Sequence, residues 1–295
     1  MTRIPFTKMQ AVGNDFVIID GVRHPCALTP ERLRFLGDRH FGVGADQILW
    51  IGPSLVPEAD FAYRIFNQDG SEAEMCGNGA RAIGVYVRRF GLSKASTLRF
   101  ATRKGIISVF FDTNDLPAVN IGIPDFSFES VGFDPSTCVL TPASEITSSP
   151  RLPMFQMPGP ENPWCFSVVS MGNPHAVIVL PSREALTSEP AKFGPLLERF
   201  EGFKAGTNVE FLLPTHAHEA DVVVWERGAG FTLACGTGAC AVCAVGMRLG
   251  LFNDYVTLNF PGGSVDVIWD LSGDMILKGP AQIVFEGMCY MPDGI

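Results

Sequence analysis

One short segment that begins with cysteine occurs twice, and this repeat constrains the fold more than any other feature of the chain. Residues 76–82 read Cys-Gly-Asn-Gly-Ala-Arg-Ala, and residues 235–241 read Cys-Gly-Thr-Gly-Ala-Cys-Ala, 159 positions later. The further matches at this displacement are Gly13-Asn14 with Gly172-Asn173, and Arg89, Gly91 and Leu92 with Arg248, Gly250 and Leu251. Several matches in order at one displacement indicate a duplicated domain of about 150 residues.

The length of the chain leaves room for two such domains. Its 295 residues can fold as two halves, each burying a core of its own. We predict a first half over residues 1–125, to which residues 279–295 return, and a second half over residues 126–278. Residues 141–163 are dense in proline and serine, and this composition predicts a loop.

Short runs of β-branched and aromatic residues predict strands in both halves. The runs are residues 17–20, 63–66, 98–101, 106–111, 168–169, 176–180, 221–225, 257–260 and 264–269. After each cysteine segment, residues 80–90 and 239–249 are apolar on nearly every side, as in a buried helix, and a glycine stop follows each. We therefore predict an α+β fold of two pseudo-symmetric halves. Each is a curled, mostly antiparallel sheet around a central buried helix, with the active site in the cleft between the halves.

The charge and hydropathy of the chain exclude several classes of partner. The formal charge is −9 and no run of Lys and Arg offsets it, so we expect no general affinity for nucleic acid or anionic lipid. No apolar stretch reaches the roughly eighteen residues of a membrane span, and the N-terminus lacks a signal-peptide core. We expect a cytoplasmic protein that binds a small molecule.

The eight cysteines are too sparse for a disulfide scaffold, and we expect free thiols. Cys240 and Cys243 have the spacing of a redox or zinc pair. Without a second pair of ligands, we interpret them as small buried hydrophobes. His216 and His218 are interpreted as solvated loop residues, so we predict no metal site. The Gly-x-Gly segments lack the remaining spacing of a dinucleotide site.

Each cysteine of the repeat directly precedes a predicted helix, and this position gives its sulfur a chemical role. The positive end of a helix lowers a thiol pKa, so we expect a thiolate that can act as a general base. Gly77, Gly79, Gly236 and Gly238 let a substrate carboxylate approach the backbone closely. Two thiols on opposite faces of an α-carbon can remove and return its proton without a cofactor, which predicts an amino-acid epimerase. The alternative is that both cysteines are merely buried capping residues.

Motifs along nearly the whole chain resemble the diaminopimelate epimerase family, whose members interconvert L,L- and meso-diaminopimelate without pyridoxal phosphate. The motifs are residues 8–9 (Lys-Met), 13–16 (Gly-Asn-Asp-Phe), 42–47 (Gly-Val-Gly-Ala-Asp-Gln), 66–72 (Phe-Asn-Gln-Asp-Gly-Ser-Glu), 75–81 (Met-Cys-Gly-Asn-Gly-Ala-Arg), 171–175 (Met-Gly-Asn-Pro-His), 207–210 (Thr-Asn-Val-Glu), 226–230 (Glu-Arg-Gly-Ala-Gly) and 234–238 (Ala-Cys-Gly-Thr-Gly). The resemblance implies epimerisation of diaminopimelate, on the lysine and peptidoglycan pathway, by Cys76 and Cys235 of a homodimer.

The same resemblance implies a set of substrate-binding residues. They are Asn14, Gln47, Asn67, Gly77, Asn78, Asn173, Asn208, Glu226, Arg227, Gly236 and Thr237. His175 and Glu226 support the acid/base chemistry, with His175 expected beside Cys76 and Glu226 beside Cys235. Arg227 offers a fork for the distal carboxylate of the substrate, while Asn67, Asn208 and Glu226 are expected to bind its distal ammonium. The alternatives are a structural Gly-Asn-Pro-His turn and an exposed Glu-Arg turn.

Two departures from the family pattern stand out. Phe231 occupies a position where relatives often carry Glu, and we expect it to change local packing; residues 141–163 are longer than is usual in the family.

Two other functions are possible for such a chain. A two-thiol racemase of proline-like amino acids would leave Asn67, Asn208 and Arg227 unpaired, and a non-catalytic amino-acid-binding protein would have no use for both thiols.

Overall fold

The computed structural model describes residues 2–73, 75–141, 152–159, 162–292 and 294. Strands dominate the first part of the chain, with a helix before the third strand and another before the sixth. The elements are β1 (Arg3–Ala11), β2 (Asn14–Asp20), α1 (Pro30–Gly37), β3 (Gln47–Pro53), β4 (Phe61–Asn67), β5 (Glu72–Ala73), α2 (Gly77–Arg89), β6 (Thr97–Thr102), β7 (Gly105–Phe111) and β8 (Pro117–Gly122).

The rest of the chain repeats this mixture with additional short helices. The elements are α3 (Phe128–Val131), β9 (Val139–Thr141), β10 (Met154–Gln156), β11 (Cys165–Ser170), β12 (Pro174–Val179), α4 (Arg183–Ser188), α5 (Pro190–Glu198), β13 (Asn208–His216), β14 (Glu219–Glu226), β15 (Gly230–Thr232), α6 (Gly236–Arg248), β16 (Tyr255–Phe260), β17 (Gly263–Ile268), β18 (Met275–Lys278) and β19 (Gln282–Tyr290). A 3-10 turn covers Pro135–Thr137.

Contacts within the chain divide it into two compact units. We call residues 1–120 with 278–295 unit 1, and residues 121–277 unit 2. In unit 1 the strand order is β19-β1-β2-β3-β4-β6-β7-β8, and β5 pairs with β4 beyond the end of β6. The pairs β2–β3 and β4–β6 are parallel and the others are antiparallel.

Helix α2 is the centre of unit 1. It contacts β19 and β1 near one end of the sheet, β2 and β3 in the middle, and β7 near the other end. Ala80, Ala82, Ile83 and Val87 of this helix are completely buried. A flat sheet covers only one face of a helix, so contacts with strands from both ends require the sheet to curl around α2 and bury its apolar surface.

Unit 2 has the same plan. Its strand order is β9-β10-β11-β12-β13-β14-β16-β17, with β15 on β14, and the parallel pairs are β12–β13 and β14–β16. Helix α6 contacts β11, β12, β13 and β17, and its residues 238–247 are all buried. The predicted α+β fold of curled, mostly antiparallel sheets around buried helices is therefore confirmed.

The two central helices end in the same way. Each passes into a left-handed glycine, Gly91 with φ 68° and Gly250 with φ 75°. The leucine after each glycine donates its N–H back to the helix, at 3.0 Å in unit 1 and 2.8 Å in unit 2, as in a Schellman motif. The predicted glycine stops are confirmed, because only glycine adopts this backbone without steric cost.

Most of the predicted elements are present, with corrections at their limits. All nine predicted strands occur, but the central helices begin at Gly77 and Gly236, three residues earlier than predicted. The loop prediction for residues 141–163 is wrong in part. Residues 154–156 form β10, which pairs with β9 and β11; Met154 and Phe155 are buried, and Phe155 belongs to an aromatic core. Residues 142–151 and 160–161 of that stretch lie outside the described residues.

Helices long and apolar enough to cross a membrane are absent from the described part of the chain.

Candidate active site

Cys76 is the N-cap of α2. Its backbone is extended, and its sulfur accepts a hydrogen bond from the N–H of Gly79 at 3.3 Å. The first N–H groups of a helix have no partner within the helix, and a capping side chain normally accepts one of them through oxygen. Here sulfur takes that position. The thiol of Cys76 therefore lies at the positive end of α2.

Cys235 caps α6 in the same geometry. Its sulfur accepts from the N–H of Gly238 at 3.4 Å and lies 3.5 Å from the hydroxyl of Thr237. Cys235 is 8% exposed and Cys76 is only partly buried. The prediction that both cysteines directly precede helices is confirmed.

Asn14 lies beside Cys76 and is oriented by a carboxylate. Its side-chain N–H donates to Asp46 at 2.9 Å, which turns its oxygen towards the start of α2. That oxygen accepts from the amide of Asn78 at 3.4 Å and lies 3.8 Å from the sulfur of Cys76. The structure thus brings three predicted site residues of unit 1 together around one amide oxygen.

A charged network holds Asp46 and its neighbour Asp15 in place. Arg39 donates to Asp46 at 2.8 Å and to both oxygens of Asp15, and Lys8 donates to Asp15 at 2.6 Å. Burial raises the pKa of Asp15, but the hydrogen bonds from Arg39 and Lys8 outweigh it, so the net pKa lies well below its usual range. Asp15 is therefore a fixed anion that anchors the loop carrying Asp46.

Gln47 and Asn67 are register partners on β3 and β4. Gln47 donates to the side-chain oxygen of Asn67 at 3.3 Å, and Asn67 donates to the hydroxyl of Ser71 at 3.0 Å. Two amides on neighbouring strands are thereby held in one orientation. Gln47 and Asn67 are a second pair within unit 1, apart from the hydrogen bonds that join Asn14, Asn78 and Cys76.

Asn173 and His175 lie at the start of β12 in unit 2. Asn173 donates to the hydroxyl of Thr237 at 3.3 Å, and its oxygen lies 3.0 Å from Nε2 of His175. Nδ1 of His175 lies 2.7 Å from Oε1 of Glu210, and both of these side chains are completely buried. Asn173 therefore links the start of α6 to a buried imidazole and carboxylate pair.

Glu226 and Cys235 affect each other's protonation. Burial raises the pKa of Glu226, and the negative charge of Glu210 raises it further, against a hydrogen bond from Thr232 at 2.6 Å. Burial raises the pKa of Cys235 well above its usual range, and Glu226 and Glu210 add to the effect. The expectation of a lowered thiol pKa is therefore wrong for Cys235, because burial and two carboxylates outweigh the helix end.

Asn208 and Arg227 are joined across β13 and the turn after β14. The oxygen of Asn208 accepts from the backbone N–H of Arg227 at 2.9 Å, and the Asn208 amide donates to the carbonyl of Pro174 at 3.0 Å. The guanidinium of Arg227 is exposed and donates to the carbonyl of Ala205 at 3.1 Å. Asn208 is thus buried and fixed, while the Arg227 fork faces solvent.

Comparison with known proteins decides the family. The family model described as diaminopimelate epimerase matches residues 6–126 and 167–284. The diaminopimelate epimerase of Paraburkholderia xenovorans is 42% identical over 99% of this chain and 100% of its own length. That of Chromobacterium violaceum is 40% identical over 97% of this chain and 98% of its own. The chain belongs to the diaminopimelate epimerase family.

Solved structures with lower identity share the fold of this family member. A phenazine biosynthesis protein of the PhzF family from Enterococcus faecalis has a TM-score of 0.67 at 12% identity, covering 98% of this chain and 100% of its own. A hydroxyproline epimerase from Agrobacterium vitis has a TM-score of 0.62 at 12% identity, covering 99% and 94%. At such identities these proteins support the two-unit architecture alone. The sequence-based prediction of an epimerase is confirmed at the level of the family.

The predicted site omitted two buried residues, Tyr63 and Glu210. Glu210 is the only carboxylate in residues 207–213 and lies two positions after Asn208, so strand alternation puts both side chains on one face. A charge within an otherwise apolar strand was a signal for it. Tyr63 has the same relation to Asn67 on β4, at four positions, but an aromatic residue in a strand is too common to single out.

Several side features have the structure that was predicted for them. Cys240 and Cys243 are completely buried in α6. His216 is exposed but is the last residue of β13, so its interpretation as a loop residue is wrong. His218 lies in the exposed turn that follows, and its two ring nitrogens lie 2.8 Å from the carbonyl of Tyr255 and 2.9 Å from the amide of Asn253. Phe231 is half exposed and packs edge-on against Trp225 at 4.9 Å. Its contact is one of packing, and the expected packing difference from relatives that carry Glu there stays a prediction.

Proposed function

We propose that this family member interconverts L,L-2,6-diaminopimelate and meso-2,6-diaminopimelate without a cofactor, using Cys76 and Cys235 as two acid/base thiols. The observation that carries the proposal is the matched capping geometry of both cysteines in a chain that is 42% identical to a diaminopimelate epimerase over its full length. The lysine and peptidoglycan pathway follows from this substrate.

The chemistry needs one thiolate and one thiol. The thiolate removes the α-hydrogen as a proton and becomes a thiol, while the electron pair of the C–H bond stays on the α-carbon. The other thiol gives its proton to the opposite face of that carbon and becomes a thiolate. The substrate is inverted with no net change in protons, but the two cysteines have exchanged protonation states, so their titrations are coupled.

The helix starts supply the groups that make the α-hydrogen acidic enough. We assign the backbone N–H groups of Gly77, Asn78, Gly236 and Thr237 to the reacting carboxylate. These are the first positions of α2 and α6, where N–H groups lack helical partners and the helix end is positive. Negative charge that develops on the carboxylate and α-carbon is stabilised there by dipoles that are already oriented.

The distal end of the substrate sets its identity. We assign Arg227 to the distal carboxylate, and Asn67, Asn208 and Glu226 to the distal ammonium. Asn14, Gln47, Asn78 and Asn173 complete the binding residues, and His175 and Glu226 assist the proton transfer. The exposed fork of Arg227 and the fixed amide of Asn208 support this assignment. The expected position of His175 beside Cys76 stays a prediction.

The activity is tested by incubating the reduced protein with L,L-diaminopimelate in deuterium oxide. We expect deuterium to enter the α-position and the meso isomer to form, whereas L-proline under the same conditions should not exchange. No exchange by folded, reduced protein would disprove the proposed function. Exchange of proline instead would assign the chain to the other two-thiol racemases.

The two-thiol mechanism is tested with Cys76→Ala and Cys235→Ala. Each is expected to abolish epimerisation, because one face of the α-carbon then lacks its acid/base group. Cys26→Ala is the matched control, since Cys26 is a partly buried free thiol elsewhere in unit 1. Full activity in either site variant would refute the two-base mechanism.

We also propose that the chain arose by duplication, with halves at residues 1–125 and 126–278, and with residues 279–295 returning to the first half. The support is that α2 and α6 lie 159 residues apart at both ends and that the parallel pairs β2–β3 and β4–β6 recur as β12–β13 and β14–β16. A cytoplasmic location is proposed with it, in keeping with eight free cysteines.

The proposed homodimer has a candidate surface on β19. Within the described residues this strand pairs with β1 alone, and Val284, Phe285, Met288 and Tyr290 are 46% to 57% exposed. An exposed apolar edge strand is expected to be buried by another surface, and we propose that a second copy of the chain buries it. Val284→Lys with Met288→Lys should shift the sedimentation coefficient from dimer to monomer. A wild-type monomer would exclude the dimer.

A further inference from the structure

Glu210 of β13 has a buried carboxylate that lies beside the start of α6. The site predicted from the sequence did not contain it. A Cβ placed on Gly238 would lie 2.9 Å from Oε1 of Glu210, and the N–H of Gly238 binds the sulfur of Cys235. The carboxylate therefore packs against the residue that holds the thiol. Its other oxygen, Oε2, is buried with no hydrogen-bond partner among the described residues.

Three elements place titratable groups around this thiol. Glu210 comes from β13, Glu226 from β14, and His175 from β12, where it pairs with Glu210 at 2.7 Å. The imidazole is in direct contact with the carboxylate. Any negative charge on the sulfur of Cys235 would be added beside Glu210 and Glu226 in a buried setting, where it is least tolerated.

The equivalent position in unit 1 carries no charge. The register pairs Ile18 with Leu49 in unit 1 and Val177 with Glu210 in unit 2, 159 residues after Ile18. Leu49 faces Gly79 there, as Glu210 faces Gly238. The two capping thiols thus share a backbone but differ in the side chain beneath the helix start.

We propose that Glu210 is a positioning residue that keeps Cys235 protonated at rest, so that the resting enzyme carries its thiolate on Cys76 and removes the first α-proton there. This inference rests on the proposed two-thiol function. In the first turnover, Cys76 gains the substrate proton and Cys235 delivers its own. The resting form returns when Cys235 regains a proton and Cys76 releases one, either by the reverse turnover or by exchange with solvent.

The test measures ionisation directly and needs no turnover. The full chain is alkylated briefly with iodoacetamide from about pH 6 to about pH 10, a range that brackets the ordinary cysteine pKa. The peptides containing Cys76 and Cys235 are then quantified by mass spectrometry. The midpoint of each pH profile is compared, not the rate, because the lower exposure of Cys235 slows labelling without moving its midpoint.

We expect the midpoint for Cys235 to lie above that for Cys76. In Glu210→Gln the midpoint for Cys235 should fall by about one pH unit, since a neighbouring like charge has been removed, and this shift should exceed any accompanying change at Cys76. Gln keeps the shape of the side chain and can still accept from His175. The matched control is Glu219→Gln, at the far end of β14 and about 20 Å along the strand from Glu226, and it should move neither midpoint.

Two results would overturn the inference. One is a wild-type midpoint for Cys235 at or below that for Cys76, which decides the question even if Glu210→Gln does not fold. The other is an unchanged Cys235 midpoint in folded Glu210→Gln. An enzyme that epimerises diaminopimelate with the reverse order of midpoints contradicts only this inference. Absent activity with the expected midpoints contradicts only the proposed function.

Discussion

The surroundings of Cys76 and Cys235 differ although their backbones match. Beneath the start of α2, the hydroxyl of Tyr63 would lie 2.5 Å from a Cβ on Gly79; beneath the start of α6, the carboxylate of Glu210 occupies the corresponding space against Gly238. Burial raises the pKa of Tyr63 well above its usual range, and Cys76 adds to this, so a neutral phenol faces one thiol. The carboxyl groups of Glu226 and Glu210 lie near the other.

The matched backbones set the geometry for proton transfer, and the unmatched side chains set the charge around each thiol. The repeated backbone puts each sulfur at a helix start with the same N–H bond, so both thiols have the geometry for proton transfer. The side chains that do not repeat decide the charge around each sulfur. A two-base enzyme needs its thiols in different protonation states, and a duplicated fold reaches this by changing a few buried residues while keeping its helices.

The largest effect is expected from closing the space beneath α2. Gly79→Ala puts a methyl group against the hydroxyl of Tyr63 and should lower kcat about 100-fold, because a displacement of about 1 Å at a reacting group has this consequence. The free energy of unfolding should fall by about 1–3 kcal/mol through overpacking. Urea denaturation and the epimerase assay measure both, with Gly273→Ala, which meets no close neighbour, as control.

A double variant sharpens this comparison between the two helix starts. Adding Tyr63→Phe to Gly79→Ala removes the clashing oxygen and should restore part of the stability. Adding Glu210→Gln to Gly238→Ala should not restore stability by relieving a clash, because the Gln side chain is as large as that of Glu. Equal recovery in both double variants would show that the two starts are packed alike.

The next effect concerns the asparagine beside each thiol. Asn14 is oriented by the carboxylate of Asp46, whereas the equivalent Asn173 is held by His175 and Thr237. Asp46→Ala should lower kcat/KM about ten-fold by releasing the Asn14 amide, with little change in the melting temperature. Glu58→Ala, an exposed residue of the same unit, is the control. Unchanged kinetics would remove Asp46 from the site.

The pH dependence of stability should separate the two thiols. The folded pKa of Cys235 lies above its unfolded value, so its stabilising contribution is present below that value, about 8.5, and is lost as pH rises through the folded pKa. Cys235→Ala should therefore flatten the alkaline fall in the free energy of unfolding, measured by urea denaturation. Cys76→Ala, as the matched variant, should retain more of this alkaline fall. Identical slopes of the free energy of unfolding against pH in the two variants would contradict the proposed difference between the thiols. Asp15, with a lowered pKa, contributes in the opposite direction, through a loss of stability in acid.

The smallest effect is expected from Tyr63→Phe alone. The Tyr63 hydroxyl is buried with no hydrogen-bond partner among the described residues, so its removal should raise the free energy of unfolding by about 1 kcal/mol. Epimerisation should change only a few-fold. Tyr86→Phe is the matched control with the opposite sign, because its hydroxyl donates to Asp20 at 3.0 Å and accepts from Arg23 at 2.6 Å. A loss of stability in Tyr63→Phe would mean that its hydroxyl is satisfied.

Local signals account for the elements that were predicted correctly. The capping cysteines, the glycine stops and the runs of β-branched residues act over a few neighbouring positions, and these predicted the central helices and nine strands. Strands β3 and β13 were not predicted, because they follow glycine-rich segments and end in Pro53 and His216. These residues interrupt the apolar pattern that indicates a strand. Strand β10 escaped because it is three residues long within a stretch rich in proline.

The candidate site was predicted unevenly for the same reason. Its motif residues were found from the family pattern, and the structure places four of them beside the thiols: Asn14 with Asn78 around Cys76, and Asn173 with Thr237 at the start of α6. The lowered pKa predicted for both thiols failed at Cys235. A helix dipole is a local property that the sequence carries, whereas burial and the approach of Glu210 depend on three strands distant in sequence.

The sequence by itself determined that two cysteines cap two equivalent buried helices, because the repeat, the capping residues and the helix-ending glycines are recognised from residues close together in the chain. Only the tertiary structure decided what lies beneath each sulfur. Phe16 and Leu49 in unit 1 have His175 and Glu210 as their counterparts in unit 2, and strand pairing brings the latter two within 2.7 Å. Charge inside a protein acts through space and burial, and neither can be read from neighbouring positions in the chain.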